Sequence, residues 1–90
     1  MNVYIVEHRT VLNTKDGVLV GVDCTVMYVA STLELAQQYC YDHLTEVGSK
    51  TDLEWSWFLI TEDQVDGGHT RIVGIFGPQG KLEQQPIYGY

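Results

Sequence analysis

The stretch that most constrains this chain runs from Tyr28 to Cys40, where a strand period gives way to a helix period within two residues. Upstream, Val18, Val20, Val22, Cys24, Val26 and Tyr28 recur at every second position. Downstream, Leu33, Ala36, Cys40, Leu44 and Val47 fall on one stripe at about 100° per residue. Between them, Ser31-Thr32-Leu33-Glu34 has the spacing of a capping box. In that motif the Ser31 hydroxyl accepts from the amide of residue 34 while the Glu34 carboxylate reaches back to the amide of residue 31. No proline or glycine follows until Gly48, a natural stop, so the helix is expected to run up to it.

The rest of the chain reads as strands around that corner. Val3 to Leu12 alternates, with Val3, Ile5 and Val11 on one face and Tyr4, Val6, His8 and Thr10 on the other. Asn13-Thr14-Lys15-Asp16-Gly17 is a turn, and the long strand that follows, bent or bulged near Gly21, is expected to pair back as an antiparallel hairpin. After the helix, Gly48 to Asp52 reads as a loop and Leu53 to Thr61 as a third strand, with Leu53, Trp55, Trp57 and Leu59 on one face. Glu62 to Gly68 reads as an acidic turn-rich loop, and Thr70 to Phe76 as a fourth strand. Gly77-Pro78-Gln79-Gly80 is a β-turn with proline at its second position. Lys81 to Gln85 can return as a short fifth strand, leaving residues 86–90 as a tail.

The expectation is therefore one α+β domain over residues 1–90, a mainly antiparallel β-β-α-β-β sheet with one helix packed on one face. One helix cannot cover such a sheet, and several strands carry apolar residues on both faces. Self-association through an uncovered sheet face or edge, giving a homo-oligomer, is the economical resolution.

Charge narrows the partners. Five basic residues against twelve acidic ones give a net charge of −7, which opposes direct nucleic-acid binding and suits a basic protein surface or simple solubility. No run approaches the roughly 18 apolar residues that cross a membrane. Met1-Asn2-Val3 leads directly into strand-like sequence, so a cytoplasmic protein is expected, with Cys24 and Cys40 reduced and buried.

Chemistry-bearing patterns are thin. Asp63 and Asp66 are three apart and miss the alternating ligand spacing of a calcium loop. Cys40 and His43 share a helix face but supply only two of the ligands a zinc site needs. Ser31 lacks the nucleophile-elbow context, and Gly77 to Lys81 lacks the length and Lys-Ser/Thr ending of a phosphate loop. No catalytic residue, metal or cofactor is expected. The aromatic set is more suggestive, since tryptophan and tyrosine are enriched at binding hot spots. Trp55 and Trp57, two apart on one sheet face, suit a core or an interface equally, and with Tyr88 and Tyr90 they are the candidate interface residues. A second reading, a small-molecule or nucleotide-sequestering protein, places a pocket between protomers, lined by Tyr39, His43, Trp57 and Arg71.

Val3-Tyr4-Ile5-Val6, Val29-Ala30-Ser31 with Ala36, and the strand Trp57-Phe58-Leu59-Ile60-Thr61-Glu62-Asp63 resemble a group of short uncharacterised bacterial and phage proteins. Those share a V-Y-I-V-type opening strand, a hairpin into a V-x-S-x-x-x-A helix start and a strand ending in acidic residues. The resemblance spans residues 2–66 and implies a fold without an assigned activity, so it transfers no functional residue. The segment from Gly67 to Tyr90 departs from it.

Overall fold

The computed structural model describes residues 2–13, 19–51 and 54–83. Strand β1 (Asn2–Asn13) pairs antiparallel with β2 (Leu19–Ala30), which delivers the chain to helix α1 (Leu33–Asp42). A 3-10 turn (Leu44–Glu46) leads into β3 (Gly48–Thr51), then β4 (Glu54–Gln64), β5 (Arg71–Gly77) and β6 (Gly80–Lys81). These form one six-stranded antiparallel sheet in the order β2-β1-β4-β5-β6, with β3 also on β4. The α+β class holds, with more strands and a shorter helix than the sequence led us to expect.

Three local differences have identifiable causes. The helix cap is Thr32 rather than Ser31: Thr32 is extended (φ −135°, ψ 156°) and its Oγ1 accepts from the amide of Leu35 at 3.2 Å. With the cap one residue on, the third helical position is Leu35, which cannot reciprocate, so the box closes on one side only. The regular helix stops at Asp42. His43 donates its amide to Cys40 O, Glu46 to His43 O and Val47 to Leu44 O, the tighter i→i−3 pattern that continues the buried stripe to Val47 without α-helix. Gly48 to Asp52, expected as a loop, supplies β3 over Gly48–Thr51. Gly48 turns the chain there with φ 115°, and a β-carbon on it would lie 3.1 Å from Pro78 Cγ. The positive φ favours glycine, and any side chain there would also press on Pro78.

The alternation of β1 and β4 produces two cores, one on each face of the sheet. On the helix side Val6, Ala30, Ala36, Cys40, Val47, Phe58, Ile60 and Phe76 are buried together, with Tyr4, Leu33, Tyr39, Leu44 and Val73 packed against them. On the outer side Val11, Trp57, Leu59 and Ile75 form a second cluster, joined by Trp55 and Leu82. Each fully buried large apolar side chain stabilises the fold by about 1.5–3 kcal/mol, so the outer cluster is a second source of stability beyond the helix. Helix α1 covers only one of the two faces.

The β1–β2 ladder is interrupted twice, opposite Val6/Glu7 and Leu12/Asn13. The first interruption leaves Met27 as the extra residue, because Val6 pairs with Tyr28 and Glu7 with Val26. A one-residue bulge reverses facing. The single stripe expected from Val22 to Tyr28 is therefore split: Val22, Cys24 and Val26 share the outer face with Val11, Arg9 and Glu7, while Tyr28 turns to the helix side. The second interruption falls at Val20, next to Gly21, where the sequence had suggested a bend. The turn at residues 14–17, Leu53, the tail and the distal part of the fifth strand lie outside the described residues.

Candidate interaction surface

The most exposed apolar part of the molecule is β2. It stands at the end of the sheet order, held on one side by β1. Every residue from Val22 to Val29 is exposed, with Val26 at 57% and Val29 at 56%. Ile72, paired with Thr61, adds a further exposed apolar group to the outer face. Cys24, expected to be buried, is exposed for the same reason: among the described residues, no element packs over the middle of β2 on either face. From Val22 to Val26 alternation told which residues share a face; it did not tell which face is covered.

Charge is distributed unevenly between the two faces. Asp23 pairs with Thr10, Glu54 with Leu12 and Glu62 with Tyr4, so all three carboxylates share the helix side, where Glu34, Asp42 and Glu46 of the helical segment also lie. On the outer face Glu7 is matched by Arg9, whose Nε and Nη2 both donate to Glu7 Oε2, at 3.2 and 2.9 Å. The outer face beside β2 is thus locally neutral in a strongly acidic chain.

The candidate interface tryptophans occupy different environments. Trp57 is 0% exposed in the outer cluster, and Trp55 is half-buried beside it, ring centroids 5.5 Å apart and tilted by 33°. Tyr88 and Tyr90 lie outside the described residues.

Of the candidate pocket residues, Tyr39 and His43 are brought together on the helix side. The Tyr39 ring is stacked with Tyr28, at 5.0 Å and 11°, and with His43, at 4.0 Å and 20°, and makes a T-shaped contact with Phe58. His43 Nδ1 donates to Tyr39 O at 2.7 Å, which fixes the imidazole plane. Burial raises the Tyr39 hydroxyl's pKa, with the Glu46 carboxylate adding to it. Trp57 faces the opposite side of the sheet. Arg71 is exposed, and its Nε donates to Glu62 Oε1 at 2.7 Å, while Glu62 Oε2 accepts from Tyr4 at 2.7 Å. Within one chain these four residues do not line a common cavity. Tyr28 is the group that reading the sequence missed, hidden by the bulge at Met27.

Both thiols have raised pKa values. Burial pushes Cys40 up to about 12. Cys24 is raised by partial desolvation and then by its contact with the Glu7 carboxylate. Cys40 lies in the helix-side core and His43 is held in the aromatic stack. Among the described residues, no three His, Cys, Asp or Glu side chains are grouped to hold a metal. Nor is any described helix long and apolar enough to cross a membrane.

Fold and surface together define a small α+β protein with a covered, acidic helix side and an edge strand whose outer face is apolar and locally neutral. Comparison with family models, curated proteins and solved structures finds no match to this chain.

Proposed function

We propose that the protein is a non-enzymatic interaction module that self-associates through its sheet. The observation that carries this reading is the uninterrupted exposure of Val22 to Val29 on an edge strand, an arrangement monomeric proteins avoid with charges, proline or cover. In the assembled form the acidic helix side stays outward and free to meet a basic protein surface, as an inhibitor of the phage type would use it. Light scattering across a dilution series tests the first part. A mass of two chains or more that falls on dilution is expected, and a single-chain mass throughout overturns it.

The stack of Tyr28, Tyr39 and His43 favours a second reading, a binder of flat small molecules, since ring faces recognise planar groups and bases. Between protomers such a pocket would add exposed Arg71 from a neighbour, whereas Trp57, buried in the outer cluster, has no surface to offer it. Thermal stabilisation by nucleotides, rising with ligand concentration and lost in Tyr28→Ala, separates this reading from the first.

A further inference from the structure

The outer edge of β2 has a register of its own. Gly21 to Val26 is an unbroken run against β1, bounded by the irregularity at Val20 and the bulge at Met27. Its last five residues read Val22-Asp23-Cys24-Thr25-Val26, a sequence that complements itself about its middle residue. We infer that β2 pairs antiparallel with β2 of a second copy across a twofold axis at Cys24, joining the two sheets edge to edge. This rests on the self-association proposed above and names the surface and register that carry it.

Opposed residues in an antiparallel ladder share a face, so a twofold axis between two such strands must pass through a residue position. With the axis at Cys24, Val22 meets Val26 of the second copy on the outer face, twice, with the two Cys24 side chains between them. On the helix side Asp23 meets Thr25, whose hydroxyl donates to the carboxylate, again twice. Neighbouring registers are worse. An axis at Asp23 sets two carboxylates directly opposite, which is destabilising. An axis at Thr25 drives the ladder through the bulge, with Asp23 against Met27.

Charge selects a second copy over a charged foreign strand. From Leu19 to Ala30 the strand holds no lysine, arginine or proline, the usual edge-blunting residues, and Asp23 is its only charge. Two chains of −7 can approach along few lines, and the helix side, with Glu34, Asp42 and Glu46, is not one of them. Along β2 the lone carboxylate finds a neutral donor, and the outward N–H and C=O groups of each strand satisfy those of the other.

The experiment uses the native cysteine. Axial residues in such a ladder have Cα atoms about 4.5–5.5 Å apart, inside the roughly 4.4–6.8 Å range of a disulfide. Diamide added to the purified protein takes up two electrons and two protons, becoming the hydrazine, as two Cys24 thiols form one S–S bond. A covalent dimer is expected on a non-reducing gel, absent in Cys24→Ser and retained in Cys40→Ala. Moving the thiol off the axis, as Thr25→Cys in the Cys24→Ser background, should slow the cross-link strongly. Val26→Lys, at an exposed position, should yield a folded monomer by light scattering and circular dichroism. A dimer that diamide does not capture and that survives Val26→Lys overturns this edge while leaving self-association standing. A wild-type chain that is monomeric at every concentration overturns both.

Discussion

Trp57 and Phe58 are consecutive in sequence, both 0% exposed, and buried in different cores. Their side chains leave β4 on opposite faces of the sheet, so β4 contributes to both clusters. Trp57→Ala and Phe58→Ala are each expected to cost about 3–5 kcal/mol, the range for emptying a buried aromatic site. Urea unfolding checks this. A Trp57→Ala variant that keeps its stability and loses only self-association would return Trp57 to the interface.

The helix start offers a paired comparison. Thr32→Ala removes the side chain that accepts from Leu35 and should cost about 1 kcal/mol. Ser31→Ala, one residue earlier and exposed, should change stability by a few tenths of that. Equal losses in thermal or urea unfolding would mean that the two hydroxyls share the cap.

Glu62 gives the chain an acid-sensitive element. Its carboxyl is held below the ordinary value of 4.5, first by the Tyr4 hydroxyl and then by the Arg71 guanidinium. A depressed pKa in the folded state contributes stability that is complete above the unfolded value and is lost as pH falls below it. Stability should therefore decline below about pH 4.5, and the decline should be shallower in Glu62→Gln and in Tyr4→Phe, which removes the leading cause. Unfolding midpoints measured from neutral to acid pH decide the matter, and parallel curves for all three proteins would dismiss Glu62.

Cys40 acts at the other end of the scale. Its thiol rises from an ordinary 9.0 to about 12 because it is buried. Between those values the unfolded chain has released a proton that the folded chain retains, so stability should fall as pH rises through that window. Cys40→Ala should flatten this alkaline slope. In the native protein, iodoacetamide should label exposed Cys24 and leave Cys40 untouched, as read by mass spectrometry.

What could be read from sequence follows from which signals are periodic. The stripe Leu33, Ala36, Cys40, Leu44 and Val47 turns inward as expected, even though its last two residues belong to a 3-10 turn and the bend that ends it. A stripe depends on facing, and a tightened turn preserves facing over so short a distance. The hairpin and the alternation of β1 and β4 were legible for the same reason. Strand β3 was not: Gly48-Ser49-Lys50-Thr51 has no apolar alternation, and its pairing with β4 follows the backbone ladder, with the Ser56 hydroxyl donating to Gly48 O. Tyr28 was assigned to the wrong face because one unpaired residue, Met27, reverses everything after it. The exposure of β2 was illegible because valine on a strand reports a preference for burial, and only the position of the other elements decides whether cover exists.

The place of β1 in the sheet has a consequence for how the protein is made. β1 lies between β2, which follows it immediately, and β4, which ends at Gln64. At synthesis rates of roughly 5–20 residues per second, the hairpin leaves the ribosome a few seconds before its second neighbour. Throughout that interval both of its edges are open and neither core exists. A nascent chain in this state is a template for strands of its own kind, and neighbouring polysomal chains are the nearest source of them. Slowing translation after Ala30 should lengthen that exposure, and speeding it should shorten it.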